Sequence, residues 1–209
     1  MLYRVQNSDL EAAVNVATRA MRGYPVFTLV IPNDTSGLRG SRASRGYRED
    51  KLRHVIRFIL GIAAIQGEVV APSPNIEAVA VWVRSEDMRL ATSELLRAGF
   101  ATLPFKIGLP ATQRLLSVGK RKHAERAKVL TGPFTLLDML SVDPEQQGKG
   151  YGRLLLETKL ETLDHERARC YLETSDERNV GYYRRFGFDL VHQFEISGVP
   201  VYGLLRTPR

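Results

Sequence analysis

The sequence predicts an α/β fold in which a mixed β-sheet is flanked by helices, with a helical insert between the third and fourth strands. Three observations carry this. Residues 134–142, FTLLDMLSV, form an apolar run of strand length, rich enough to be buried on both faces. Residues 152–168, GRLLLETKLETLDHERA, space their apolar positions as an amphipathic helix, and CYLETS (170–175) is again a strand. A strand, a crossover helix and a strand in that order lie roughly parallel in one sheet, while the hairpins on either side of them are antiparallel, so strand direction is mixed.

In chain order, LYRV (2–5) is a short strand. Ser8 and Asp9 stand where they can cap a helix running to about Arg22, with Leu10, Ala13, Val14 and Ala17 on one face. Residues 32–48, PNDTSGLRGSRASRGYR, are rich in Gly and Ser and carry Arg39, Arg42, Arg45 and Arg48, the composition of a mobile basic loop. From Glu49 to about Gln66, Leu52, Val55, Ile56, Ile59, Leu60 and Ala63 return to helical spacing. GEVVAP and IEAVAVWVRS are strands around PSPN, a hairpin signal, with Trp82 read as core. Residues 86–128 look largely helical, with breaks expected near Pro104 and Pro110, and 86–133 is the insert. After strand 170–175, NVGYYRRF is a short helix, and GFDLVHQFEI with VPVYGLLR a closing hairpin. No linker separates two bodies of comparable size, so one domain over 1–209 is expected.

At 209 residues the chain can bury a core without disulfides or metals, and 44% apolar with 25% charged residues is ordinary for a globular protein. Cys170 is the single cysteine, and the four histidines are scattered without a CxxC, so no metal site and a reducing, cytoplasmic setting are expected. The start, MLYRVQNSDLEAAV, lacks the apolar core of a signal peptide, and no run approaches a membrane span. A net charge of +7 favours anionic partners, whether nucleic acid, a membrane surface or a phosphorylated cofactor.

Gln147, Gly148, Lys149, Gly150, Tyr151 and Gly152 fall where the strand meets the helix. A helix start leaves backbone N–H groups without partners and adds partial positive charge, and glycines remove the Cβ atoms that would hold an anion away. Such a turn can cradle a pyrophosphate, or be turn chemistry alone. Neither GxxxxGK[ST] nor G-x-G-x-x-G is present; the pattern that fits is Q-x-x-G-x-G.

The run LSVDPEQQGKGYGRLLLE resembles the acetyl-CoA motif of the GNAT superfamily of N-acetyltransferases, in which a strand ends in V-x-P and Q/R-x-x-G-x-G/A opens the next helix. CYLETSDERNVGYYRRFGFDLV is similar to that family's second signature: a strand, an Asn, a Tyr-x-x-x-Gly-Phe helix end and another strand. Together they cover roughly residues 134–192. The resemblance implies a GNAT-type α+β sheet, splayed at its centre by a bulge in strand 134–142. It implies that Gln147, Gly148, Lys149, Gly150, Tyr151, Gly152 and Arg153 hold the pyrophosphate of acetyl-CoA. It further implies that Leu140, Ser141 and Val142 meet the pantetheine arm as an added strand, that Asn179 bonds that arm, and that Tyr183 lies by the thioester sulfur.

The implied reaction is direct acetyl transfer to a primary amine of a small molecule or peptide. The amine attacks when neutral, and an acid assists the departing thiolate. Tyr183, with an ordinary pKa near 10, is the expected acid, and Tyr182 is read as packing. Asp138 is the expected base, taken by simple alternation to share a face with Leu140 and Val142; Glu173 is its rival, and water alone is a third route. Cys170, opening a buried strand, is read as a small hydrophobe.

The acceptor is not legible. It is expected among the first two helices, the insert and the closing hairpin; the insert either roofs the acceptor pocket or mediates a homodimer. GKRKHAERAK (119–128) is read as the solvated face of a helix. A CoA-binding sensor is the alternative on the same fold. A nucleic-acid-binding module is disfavoured because the basic runs lack interleaved aromatics and no recognition motif is present.

Overall fold

The structure, a computed structural model, describes residues 2–32, 42–89 and 91–209, the side chains of 42–45 excepted. Its seven strands are β1 (Tyr3–Arg4), β2 (Gly67–Ala71), β3 (Ala78–Arg84), β4 (Thr135–Val142), β5 (Cys170–Thr174), β6 (Asp189–Ile196) and β7 (Val199–Arg206). They form one sheet in the order β1-β2-β3-β4-β5-β7-β6, antiparallel except for the β4–β5 pair. The helices among the described residues are α1 (Leu10–Ala20), α2 (Pro25–Val30), α3 (Arg42–Gln66), α4 (Thr92–Arg97), α5 (Leu103–Ile107), α6 (Leu109–Val129), α7 (Tyr151–His165) and α8 (Arg178–Arg184).

Both faces of the sheet are covered, which is why its central strands read as continuous apolar runs. On β3, Val79, Val81 and Val83 pack with α1, α2, α3 and α5, while Ala80 and Trp82 pack with Leu155, Leu156 and Leu160 of α7. Each buried leucine of α7 contributes about 2 kcal/mol, and Arg153, Glu161 and Thr162 take its exposed side. On α1, Thr18 is buried but donates its hydroxyl to the Val14 carbonyl at 2.7 Å, so its polarity is satisfied within the helix.

The β3–β4 register slips once. Val81 pairs with Met139 and Trp82 with Leu137, leaving Asp138 as the extra residue of a bulge. Leu137 and Leu140 consequently pack on the same side, with α7, and Met139 on the other. β4 and β5 pair only over Thr135–Leu137 with Cys170–Leu172, so beyond the bulge the two strands part.

Several expectations are corrected. Asp9 precedes α1 but forms no cap bond; its carboxylate accepts the Tyr3 hydroxyl. Arg42, Arg45 and Arg48 belong to α3 rather than to a loop, and Arg48 donates to the Ile31 carbonyl and the Thr28 hydroxyl, both at 3.0 Å; Arg39 lies outside the described residues. Helix α2 was not expected: an apolar, β-branched run becomes helical behind Pro25, whose fixed φ suits a first turn. The helical breaks expected near Pro104 and Pro110 are present, and each proline stands in the first turn of the helix that follows, α5 and α6, for the same reason. Among the described residues no helix is long and apolar enough to cross a membrane, and no group of three or more metal-ligating side chains gathers.

The end of α7 is fastened to β7 by Asp164, which takes two bonds from the buried Arg206 guanidinium, at 2.7 and 2.6 Å, and one from the Arg209 amide at 2.9 Å. Those donors hold its pKa down at about 2. A depressed carboxylate pKa contributes stability above the unfolded value, near 3.9, and loses it as pH falls toward 2. Asp164→Ala is therefore expected to cost ~3 kcal/mol at pH 7 by stranding Arg206. The gap from wild type should close between pH 5 and 2, as read by thermal melts across pH.

Candidate active site

Past β4 the chain enters a 3-10 turn, Pro144–Gln146, and then the glycine segment. Asp143 pins its start: the buried carboxylate accepts the Glu145 amide at 3.2 Å and is ion-paired with Arg19 of α1, which holds its pKa below the usual range. Gly148 and Gly150 have φ of +80° and +85°, in the left-handed region, and a Cβ on either would enter open space. At Gly152 the reason is closeness, since a Cβ would lie 3.2 Å from Val142 Cγ2 and 3.3 Å from the Tyr182 hydroxyl. None of the amides from Gln147 to Arg153 finds an acceptor among the described residues. The first turn of α7 thus presents a set of donors to the space before it.

That space is an open cleft of about 900 Å³ between the parted strands. Leu140, Ser141, Val142, Gln147, Gly148, Gly150, Tyr151, Gly152, Arg153, Asn179 and Tyr183 all line it. Of the expected cofactor residues only Lys149 does not; its ammonium turns back to Gln146 Oε1 at 2.8 Å. Beyond Leu137 the edge of β4 facing β5 has no ladder partner, so the stretch from Leu140 to Val142 meets the cleft with backbone. Tyr182 lines the cleft too, its ring against Phe186 and under the Arg185 guanidinium.

A narrow chamber of about 80 Å³ continues from the cleft to the other side of the sheet, and Tyr24, Leu140, Asn179 and Tyr183 belong to both. Tyr183 is 8% exposed, edge-on to Phe188 and Tyr182. Burial foremost, then Tyr24, raises its pKa well above that of a free phenol, so its hydroxyl stays protonated and can donate. Asn179 Nδ2 donates to the Thr174 hydroxyl at 3.1 Å; that hydroxyl bonds Tyr24 at 2.9 Å, and Tyr24 in turn accepts the Ser175 amide at 2.9 Å. Tyr24 thereby ties the α1–α2 junction to the loop after β5. Nothing in its local sequence, a tyrosine before a proline, pointed to this.

The two candidate bases differ sharply. Asp138, as the bulged residue, does not follow the alternation that put it with Leu140 and Val142; its side chain is exposed and lines the chamber. Glu173, on β5 and lining the same chamber, is buried and paired with Arg126 at 3.1 Å and Lys122 at 3.2 Å. Burial alone would raise its pKa, but the two cations prevail and lower it, which makes it a poor proton acceptor. Both cations come from α6, so the basic run 119–128 is helical but not merely a solvated face: Lys122, Glu125 and Arg126 turn inward at i, i+3 and i+4. Cys170 is fully buried with its thiol pushed up to about 12, chiefly by burial, and is inert as a nucleophile at neutral pH.

A turn of bare donors, a split sheet and a buried phenol thus meet at one cleft. A family model described as "Acetyltransferase (GNAT) domain" matches residues 117–190. The peptidyl-lysine N-acetyltransferase YjaB of Escherichia coli is 29% identical over 124 residues, 58% of this chain and 80% of its own. Among solved structures, a Corynebacterium glutamicum protein described as histone acetyltransferase HPA2 and related acetyltransferase superposes with a TM-score of 0.68 at 19% identity, over 100% of this chain and 96% of that one. A Drosophila melanogaster polyamine N-acetyltransferase gives 0.54 at 13% identity, over 99% of each. Residues 117–190 are thus similar to a GNAT acetyltransferase domain, and the whole chain shares the fold of solved acetyltransferases.

Because Gly150 needs only its positive φ and has open space where a Cβ would stand, Gly150→Ala should cost about 1–2 kcal/mol without disordering the turn, as urea denaturation would read.

Proposed function

We propose that this enzyme moves an acetyl group from acetyl-CoA to a primary amine by direct transfer in a ternary complex. The observation that carries the proposal is the coincidence of the split between β4 and β5 with the glycine turn at the end of β4. A thioester carrier needs a diphosphate site and a long slot, and the cleft offers both. The amides from Gln147 to Arg153 would hold the diphosphate, and the freed edge of β4 at Leu140–Val142 would bond the pantetheine arm along with Asn179. The E. coli relative is named for a lysine side-chain amine, which supports a primary amine as acceptor.

In the transfer step the amine nitrogen bonds to the thioester carbonyl carbon and the carbon–sulfur bond breaks. Tyr183 gives its proton to the leaving thiolate; its burial keeps that proton in place until sulfur becomes basic. The proton lost from the amine goes to Asp138, the exposed carboxylate of the chamber, or through it to solvent. Glu173, held ionised by its two cations, shapes the wall. Cys170 has no part, and no acyl-enzyme forms.

Tyr183→Phe should lower kcat at least tenfold while acetyl-CoA still raises the melting temperature; equal turnover at every pH tested sinks the acid assignment. Gly150→Glu, by contrast, should abolish the thermal shift with acetyl-CoA, since it places a carboxylate where the diphosphate would sit. The readouts are thiol release from acetyl-CoA with a panel of amines and thermal melts with the carrier.

A further inference from the structure

The buried charges behind the chamber do not balance. Glu173, 1% exposed at its side chain, accepts Arg126 Nε and Nη2, each at 3.1 Å, and Lys122 Nζ at 3.2 Å. Arg126 is itself buried, and its remaining terminal nitrogen meets the Met88 sulfur at 3.9 Å. The neighbouring carboxylate on α6, Glu125, is already committed to Lys128 at 2.7 Å, Arg121 at 2.9 Å and His192 at 3.0 Å. Two cations thus share one carboxylate, Arg126 buried with it and Lys122 partly exposed. Arg126 alone matches the charge of Glu173, so Lys122 is a cation beyond what that pairing needs.

Lys122 is the one of the two that reaches the chamber. Its side chain is 23% exposed, it lines the chamber, and an ammonium has three donors, of which Glu173 takes one. From β4, Asp138 lines the same space with no hydrogen bond or ion pair among the described residues. Apolar side chains, Val26, Phe27 and Val201 among them, complete the lining. The lining therefore offers both a carboxylate without a partner among the described residues and a cation held by Glu173, around a volume of only about 80 Å³.

We propose that Lys122 is a specificity-determining residue that selects a small primary amine also bearing a carboxylate, an amino-acid-like acceptor. The acceptor's carboxylate bonds the Lys122 ammonium and completes the pairing that Glu173 leaves half made, while its amine turns to Asp138 and the thioester. Diamines and polyamines place their second cation against Lys122 and are rejected. This rests on the reading of the site as an amine acetyltransferase and names its substrate class.

The test uses matched acceptors that differ only in the carboxylate: leucine against isoamylamine, 4-aminobutyrate against propylamine, and putrescine and a lysine-containing peptide as cationic and macromolecular comparisons. Thiol release should favour the carboxylated member of at least one pair by tenfold or more in kcat/KM, through KM. Lys122→Met should shrink that preference at least fivefold and Lys122→Arg should preserve it, with melting temperatures confirming that both variants are folded. Binding is read separately by calorimetry of the same acceptors against protein saturated with CoA. A carboxylated amine that binds through Lys122 without being acetylated upholds the inference and overturns the transfer reading. Turnover that favours isoamylamine, putrescine or the peptide, or that falls equally for both members of a pair in Lys122→Met, overturns the inference and leaves transfer standing. Neither binding nor turnover with any carboxylated amine also overturns it.

Discussion

One unpaired residue in the middle of a sheet governs the rest of this molecule. Asp138 is the extra residue of the β3–β4 ladder, and from that point β4 stays bonded to β3 while β5 stays bonded to β7. A continuous ladder would have closed the space now open between β4 and β5 with its own hydrogen bonds. The sheet tolerates the break because each half is held independently. β3 and β7 hold the two strands along their lengths, Arg19 grips Asp143 at the top of β4, and Tyr24 grips the loop after β5. The cleft is a gap between two well-supported edges, which is why it can be open without being loose.

Helix α6, between β3 and β4 in sequence, contributes Lys122 to the far side of that gap. Helix α6 packs against α2 and β6, and it sends a layer of charge into the interior. Glu125 and Arg126 are both buried, one facing His192 of β6 and the other Glu173 of β5. Such pairs add little net stability compared with apolar packing, but breaking one is expensive, so they fix where the helix lies. A wall fixed in this way can present a single lysine to a small chamber with little freedom to move it.

Much of the fold was legible because the strongest signals were local. The apolar run of β4, the period of α7 and the glycines between them each follow from backbone or burial requirements that act within a few residues. So did Tyr183 and Asn179, carried by a second motif of fixed spacing. What escaped were features decided by distant partners. The family resemblance implied a bulge within 134–142, but its place at Asp138 is set by register against β3 and leaves no mark on composition. Arg126 and Lys122 look like the outer face of any basic helix until Glu173, 47 and 51 residues further on, is brought beneath them. Helix α2 escaped for the opposite reason: VFTLV has the composition of a strand, and only the proline before it and the packing beneath it make it helical.

The order of the strands bears on how such a site comes into being. β7, the last strand in sequence, is interior to the sheet, between β5 and β6, and Arg206 at its end is the residue that fastens α7. Until residues 199–206 are in place, β5 has a ladder on one side for three residues and none on the other, and the wall that carries Glu173 has nothing to lean on. During synthesis β1 to β4 can pair before β5 is made, whereas β5 gains its long ladder, and α7 its anchor at Arg206, only from a stretch made some thirty residues after β5 itself. The support of β5 and the fastening of α7 therefore wait on the same late strand.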